Sequence, residues 1–336
     1  MTARTATPPD LWTRLTGGVM VALAGRETRY VGRLYAERIV LFAALVLTVV
    51  LSLDAANHIG SLLGGTDQPG APSGIQRMFR YLMLRGAYNV PAILPLAALT
   101  GVIWAEFALA RSRQRMMIAN SGRSMLMSLA PAVLVGLVVG VVQFGALAYL
   151  RPAAVEAQST EHFRYYGPKY QFSQTGSMWL SVDNAVIEAR IAFTDPVVLH
   201  HAVIYELADD GALRAILTAE HAVPDGPGRW MLDNGTSWQV PSFSIAAPSG
   251  TPSRGATAFA ERELALELDP LWVENIDIPP TLLPQDVLVR LGTAETGIQN
   301  ISTYAAALHE RFAAIFYVMG MVVLPAALGI AWFSPG

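Results

Sequence analysis

The chain has no cysteine and a single lysine, Lys169, among 23 basic residues. Without cysteine there are no disulfides, no thiolate nucleophiles and no cysteine-based metal sites. The lone lysine has no Gly-x-x-x-x-Gly-Lys-Ser/Thr around it, so no phosphate-cradling loop of the P-loop kind exists. Charge is scarce as well. Only 15% of the 336 residues are charged, against about 25% in an ordinary soluble domain. The net charge of −3 provides no basic surface for nucleic acid. No Gly-x-Ser-x-Gly elbow and no His-Glu-x-x-His pair occurs. His200 and His201, with Asp195 nearby, look like metal ligands at first. Adjacent strand residues point to opposite faces, so the two cannot readily share one ion. No catalytic residue, cofactor or metal site is expected.

What the chain has in abundance is apolar length. Some 53% of residues are hydrophobic, and about 20 consecutive apolar residues cross a bilayer. The first such run lies in 30–53, where Ile39–Leu51 is almost wholly apolar and Arg26, Arg29, Arg33 and Arg38 precede it. It reads as a retained anchor rather than a signal peptide, because no small-x-small cleavage site follows. Residues 54–86 read as a loop whose second half, 75–84, spaces its apolar residues like a helix lying on the membrane surface. A second span covers 88–110, with Pro91 and Pro95 inside it. Each proline frees a carbonyl that a neighbouring helix must satisfy. Glu106 is expected to pair with Arg111 at the helix end.

The loop 111–124 carries four arginines, which favours the cytoplasmic side. It is an ordinary positive-inside loop or a docking helix for a cytoplasmic partner. The third span, 125–150, contains Gly136-x-x-x-Gly140, a small-xxx-small pattern that lets helix backbones approach closely, within one chain or between two. A fourth apolar run ends the chain at 312–333. Four spans place both termini inside and the segment between spans three and four outside.

That segment alternates rather than repeats at helical period. Residues 179–182 and 185–191 read as a strand pair, followed by strands at 200–207 and 213–218. Residues 229–232 and 236–240 flank Asp233-Asn234-Gly235, the signature of a tight hairpin turn. A closing strand is expected at 264–273. Short strands at regular intervals suggest a sandwich or jelly roll. Trp179, Trp230 and Trp238 are expected in its core. The organisation is therefore a tail at 1–29, spans one to three with their loop at 30–150, a β domain at 151–284, and a connecting helix with span four at 285–336.

With these pieces placed, the chain resembles the lipopolysaccharide-export permease family, the LptF/LptG type. The resemblance rests on Leu94-Pro-Leu-Ala-Ala-Leu-Thr-Gly101, Ala119-Asn-Ser-Gly-Arg-Ser124, Gly176-Ser-Met-Trp-Leu180 and Leu308-His-Glu-Arg-Phe312, in order around a β insert. The Gly-x-x-Trp opening of the insert is closer to the LptG branch. The resemblance implies an α-helical transmembrane bundle with an inserted periplasmic jelly roll, in the inner membrane. It implies a paired permease of the same type, a cytoplasmic ATPase dimer of the LptB type, and periplasmic jelly-roll bridge proteins of the LptC/LptA type as partners. Lipopolysaccharide is the implied cargo. A coupling helix on the ATPase is implied at Arg113, Gln114, Arg115, Met117, Asn120 and Gly122. Inward β positions Trp179, Ile187, Ile204 and Trp230 are the implied lipid passage.

Three departures stand out. Gln114 sits where the family usually has an acidic residue. Asn57 and His58 occupy the outer end of span one, where the family often places lysines that meet lipid phosphates. The family has six spans and this chain shows four, which implies a truncated sequence, a remainder supplied by a second polypeptide, or a degenerate paralogue.

Overall fold

The computed structural model describes residues 25–63, 73–120, 124–182, 185–208, 210–226, 228–239, 255–294 and 298–333. These divide into two compact units. One comprises the chain through Ala154 together with Glu310 onward; the other is Val155–His309.

The first unit is built from long helices: α1 (Arg26–Leu63), α2 (Gly74–Arg111), the short α3 (Gln114–Ala119) and α4 (Met125–Ser128), α5 (Ala130–Gly145) and α9 (Ile301–Phe333), which begins in the second unit. Among the described residues, four helical stretches are long and apolar enough to span a bilayer: Arg26–Gly60, Gly74–Arg111, Leu126–Thr160 and Ile301–Trp332. Their outward faces are apolar, as at Leu45, Phe107, Val138 and Phe316. A bilayer, not water, suits such surfaces.

Residues 75–84, expected as a separate surface helix, are instead the first turns of the 38-residue α2. Two contacts make this so. Ser73 caps the start, its hydroxyl accepting from the Gln76 N–H at 3.3 Å. Tyr81 and Arg85 of the same turns bond Asp54 of α1, which holds the two helices side by side.

Close packing in the bundle depends on glycine. A Cβ on Gly101 would lie 2.7 Å from the Ile39 backbone, so α1 and α2 cross here only because none is present. Gly136 and Gly140 do the same for α5 against α9: a Cβ on Gly140 would lie 2.5 Å from the Ile315 carbonyl oxygen. The small-xxx-small pattern thus serves packing within this chain. The prolines of α2 are accommodated as the sequence predicts. Pro95 has no N–H for the carbonyl of Pro91, four residues back. Gln143 of α5, 4% exposed, donates its side-chain amide to that carbonyl at 2.9 Å.

The second unit is organised on one six-stranded antiparallel sheet, ordered β1-β2-β3-β4-β5-β6. The strands are Gln174–Val182, Ala185–Ala192, Val198–Leu207, Leu213–Pro224, Arg229–Gln239 and Thr257–Ala265. Each strand pairs with the next in sequence, so the sheet is a meander without the crossing connections of a Greek key. One face is buried. Leu180, Ile187, Ile204 and Leu217 form a row of cross-strand partners on it, none more than 1% exposed.

Two expectations fail for local reasons. Asp233-Asn234-Gly235 is not a turn: β5 runs straight through it. Only Asn234 takes a left-handed conformation, at φ 50°, whereas a tight turn of this type requires two. Gly235 is there for space, because a Cβ would collide with the Thr218 carbonyl and the Phe259 ring on the flanking strands. His201 of β3 has the same left-handed backbone, φ 50°, and the register skips Glu220 between them. One extra residue at the same level in β3, β4 and β5 shifts the burial phase of each strand together. Leu199 and Ala202 are both buried, as are Ala219 and Ala222. The shift keeps one face inward along all three strands.

The closing strand stops at Ala265, and Pro270–Glu274 forms helix α7. Asp269 caps it by accepting from the Leu271 N–H at 2.8 Å, and proline suits the first helical position, where its missing N–H costs nothing. Helix α8 (Gln285–Gly292) follows, and α9 starts only at Ile301, so 286–311 is not one continuous helix.

Candidate functional site

Three places in the molecule gather the residues that bear on function. The first is the end of the bundle carrying α3. Helix α2 ends at Arg111, and Arg113 takes a left-handed conformation, φ 57°, that redirects the chain into α3. The side chains of α3 and its ends then point in two directions. Met116 and Met117 are exposed, at 48% and 72%, and Arg113 and Asn120 are exposed beside them. Gln114 and Arg115 point the other way. The Gln114 side-chain oxygen accepts from the Tyr30 hydroxyl of α1 at 2.9 Å. Arg115 is 3% exposed and bonds Glu106 of α2 through Nε, at 3.0 Å, and Nη2. Glu106 therefore does pair with an arginine, but with Arg115 rather than Arg111, because the turn at Arg113 folds α3 back along α2. Arg111 is left exposed. Gly122 lies outside the described residues.

The second place is the opposite end of the same unit, where arginines from three helices gather. Arg85 of α2 holds Asp54 of α1 by two bonds, at 2.9 and 3.1 Å, and Tyr81 donates to the same carboxylate. Two guanidinium groups lie over the Tyr88 ring, with Arg85 5.0 Å and Arg151 4.6 Å from its centroid. Cation–π contacts of this kind hold a cation in place, and Arg85 is paired with the Asp54 carboxylate as well. Arg151 begins α6 (Arg151–Thr160), and its Nε is buried without an acceptor among the described residues. Arg311 of α9 is 3% exposed and close enough to feel the Arg151 charge. Asn57 is exposed, and His58 bonds the Asp54 carbonyl at 2.8 Å through Nδ1. Sequence reasoning missed this cluster because its arginines are separated by up to 226 positions and share no motif.

The third place is the sheet. Ile187, Ile204 and Trp230 lie on its inner face and are fully buried. The Trp230 indole donates to the Leu268 carbonyl at 3.0 Å, so the strap after β6 lies against that end of the face. Trp179 is on the other face. Alternation along β1 sends Leu180 and Val182 inward and leaves Trp179 60% exposed, stacked on Tyr205 of β3 with ring centroids 5.8 Å apart. Trp179 also borders an open cavity of about 350 Å³ that includes Met178, Trp272, Asp277 and Asn300. Trp238 is half-buried. Across β3 and β4, His200 and His221 oppose each other, Nδ1 to Nδ1 at 2.9 Å. Burial and the neighbouring His221 hold the His200 imidazolium below its usual range. Among the described residues, no group of three or more His, Cys, Asp or Glu is placed to hold a metal ion.

Four spanning helices with a folded antiparallel sheet inserted between the third and fourth define a multi-span membrane protein with a large extramembrane domain. The profile of the family described as lipopolysaccharide export system permease LptF/LptG matches residues 29–332. The chain belongs to that family. It is a family of inner-membrane transporter permeases and not of enzymes. A search of curated proteins gives no match.

Proposed function

We propose that this chain is a permease subunit of an ATP-driven lipopolysaccharide exporter. It takes the lipid from the inner membrane and passes it along its sheet domain, which stands in the periplasm, toward jelly-roll bridge proteins. A second permease of the same family and a cytoplasmic ATPase dimer complete the machine. One observation carries this reading: α3 is anchored from within by Gln114 and Arg115 and turns Arg113, Met116, Met117 and Asn120 outward. Exposed methionines on a firmly held helix form an adaptable docking face. Arg115 supports that face and does not belong to it.

The arginine cluster supports the same reading. Lipid A phosphates need cations at the outer mouth of the bundle, and the first span has none there. Arg151, at the end of the third span and beside Arg311 of the fourth, supplies positive charge there, whereas Arg85 of the second span is already paired with Asp54. The inner face of the sheet offers apolar cover for acyl chains, which would otherwise lose roughly 0.8 kcal/mol per CH₂ exposed to water. Because Ile187, Ile204 and Trp230 are buried, passage requires that face to open during the cycle. That burial also favours a second reading, a membrane-anchored periplasmic scaffold whose filled sheet domain only binds protein.

A photo-crosslinker in place of Ile204, in membranes containing the ATPase, separates the two. Transport predicts lipopolysaccharide adducts that appear with ATP and vanish without it, with few at the outward Trp179 position. Protein adducts alone, indifferent to ATP, would establish the scaffold.

A further inference from the structure

The attachment of α3 converges on one carboxylate. Glu106, on α2, is 4% exposed. Tyr35 of α1 donates its hydroxyl proton to Oε1. Arg115 of α3 bonds both carboxylate oxygens, and its Nη2 also donates to the Tyr35 hydroxyl oxygen at 3.0 Å. Helix α9 closes the fourth side: a Cβ on Gly329 would lie 2.5 Å from Glu106 Oε2, so only glycine permits the approach. One carboxylate on α2 thus touches two other spans, α1 and α9, and the short helix between the second and third. The remaining Arg115 nitrogen, Nη1, is buried without a hydrogen-bond partner among the described residues.

A buried ion pair is weak evidence for stability, since its desolvation cost offsets much of the attraction, and its better-attested use is to fix register. The geometry here suits that use. A two-point arginine–carboxylate bond sets orientation as well as distance. Burial removes it from salt screening, which acts chiefly on exposed charges. A helix of six residues with exposed methionines would otherwise be hinged at Arg113 and free to tilt under load.

We propose that Glu106 is a positioning residue for energy coupling. It locks α3 to α1, α2 and α9, so that a displacement imposed on α3 moves the spans as one body. This inference rests on the reading of α3 as the surface that receives the motor. It adds that docking and transmission are separate: the outward methionines receive the push, and the inward Tyr35–Glu106–Arg115 network delivers it.

The test uses the full chain assembled with its partner permease and ATPase in proteoliposomes, measuring ATP hydrolysis and labelled lipopolysaccharide release together. Glu106→Gln keeps the side-chain shape and an acceptor for Arg115 but removes the charge. ATPase binding and hydrolysis are expected within about twofold of the parent, while lipid released per ATP falls at least about fivefold, the scale on which internal coupling residues act. Gly329→Ala leaves every charge in place and pushes on Oε2. It is expected to lower release per ATP in the same direction and guards against a Glu106→Gln protein that fails to assemble. An unchanged ratio of release to hydrolysis in both variants, whether both rates fall in parallel or neither falls, overturns the proposal. Met117→Asp reads docking separately and is expected to release the ATPase. If the parent chain binds no ATPase, the reading of α3 as a docking surface fails, and the proposal fails with it.

Discussion

Ile204→Ala tests whether the inner face of the sheet is a closed core in the resting protein. Ile204 is fully buried, with Ile187 and Leu217 as its partners on the adjacent strands. The substitution removes three carbons. At roughly 0.8 kcal/mol per buried CH₂ the transfer loss alone is about 2.4 kcal/mol. The cavity left behind raises the cost, and large-to-small changes of this kind span about 2 to 5 kcal/mol. For a unit of this size each kcal/mol lowers the melting temperature by roughly 2–4 °C. A drop of at least about 5 °C is therefore expected for the sheet unit. Thermal unfolding of the full chain in mild detergent, followed by tryptophan fluorescence, reads it directly, since Trp230 sits on the same face. Trp179→Ala is the matched control. Its side chain is 60% exposed, so its loss should cost less than half as much. A midpoint within 2 °C of the parent for Ile204→Ala would refute the reasoning. It would mean that the inner face is loosely filled at rest and needs no opening step before acyl chains enter.

Two further outcomes follow from single contacts. Gln143→Leu leaves the Pro91 carbonyl without its donor in a nonpolar interior, which costs roughly 1 to 3 kcal/mol. Val142→Leu, one residue earlier on an exposed face, should stay within about 0.5 kcal/mol when both are compared by unfolding in detergent. The second outcome concerns pH. His200 has its pKa lowered by burial and by the nearby His221 and His201, with Glu220 opposing; Arg190 and Asp233 lie in register on the flanking strands. The unfolded chain therefore binds a proton at higher pH than the folded sheet does. Stability from this group is present above the usual histidine range and is lost as pH falls from about 6.5 toward the lowered folded value. Melting temperature against pH should show that slope, and His200→Gln should flatten it.

The bundle was legible because its causes are local. An apolar run of bilayer length has few alternatives to a spanning helix, and the arginines of 111–124 mark one side whatever their partners are. The sheet was legible in outline for the same reason, since alternation reports which residues share a face. It misled where spacing was tighter than alternation reveals. Asp233-Asn234-Gly235 has the composition of a turn, yet Gly235 is present because two neighbouring strands leave no room for a Cβ, and only the assembled sheet contains those strands. Trp179 has the side chain of a core residue, yet its phase relative to Leu180 puts it outside.

What the sequence determined by itself, then, is the order and character of the parts: three spans, a β insert, a fourth span, a basic linker with a short helix, and the family to which they belong. What only the tertiary structure decided is which charges meet. Glu106 finds Arg115 rather than Arg111 because the left-handed turn at Arg113 reverses α3. Arg85, Arg151 and Arg311 gather because helix packing brings distant segments to one end of the bundle. Periodicity reports the face a residue occupies on its own element, and it carries no information about which other element will lie against that face.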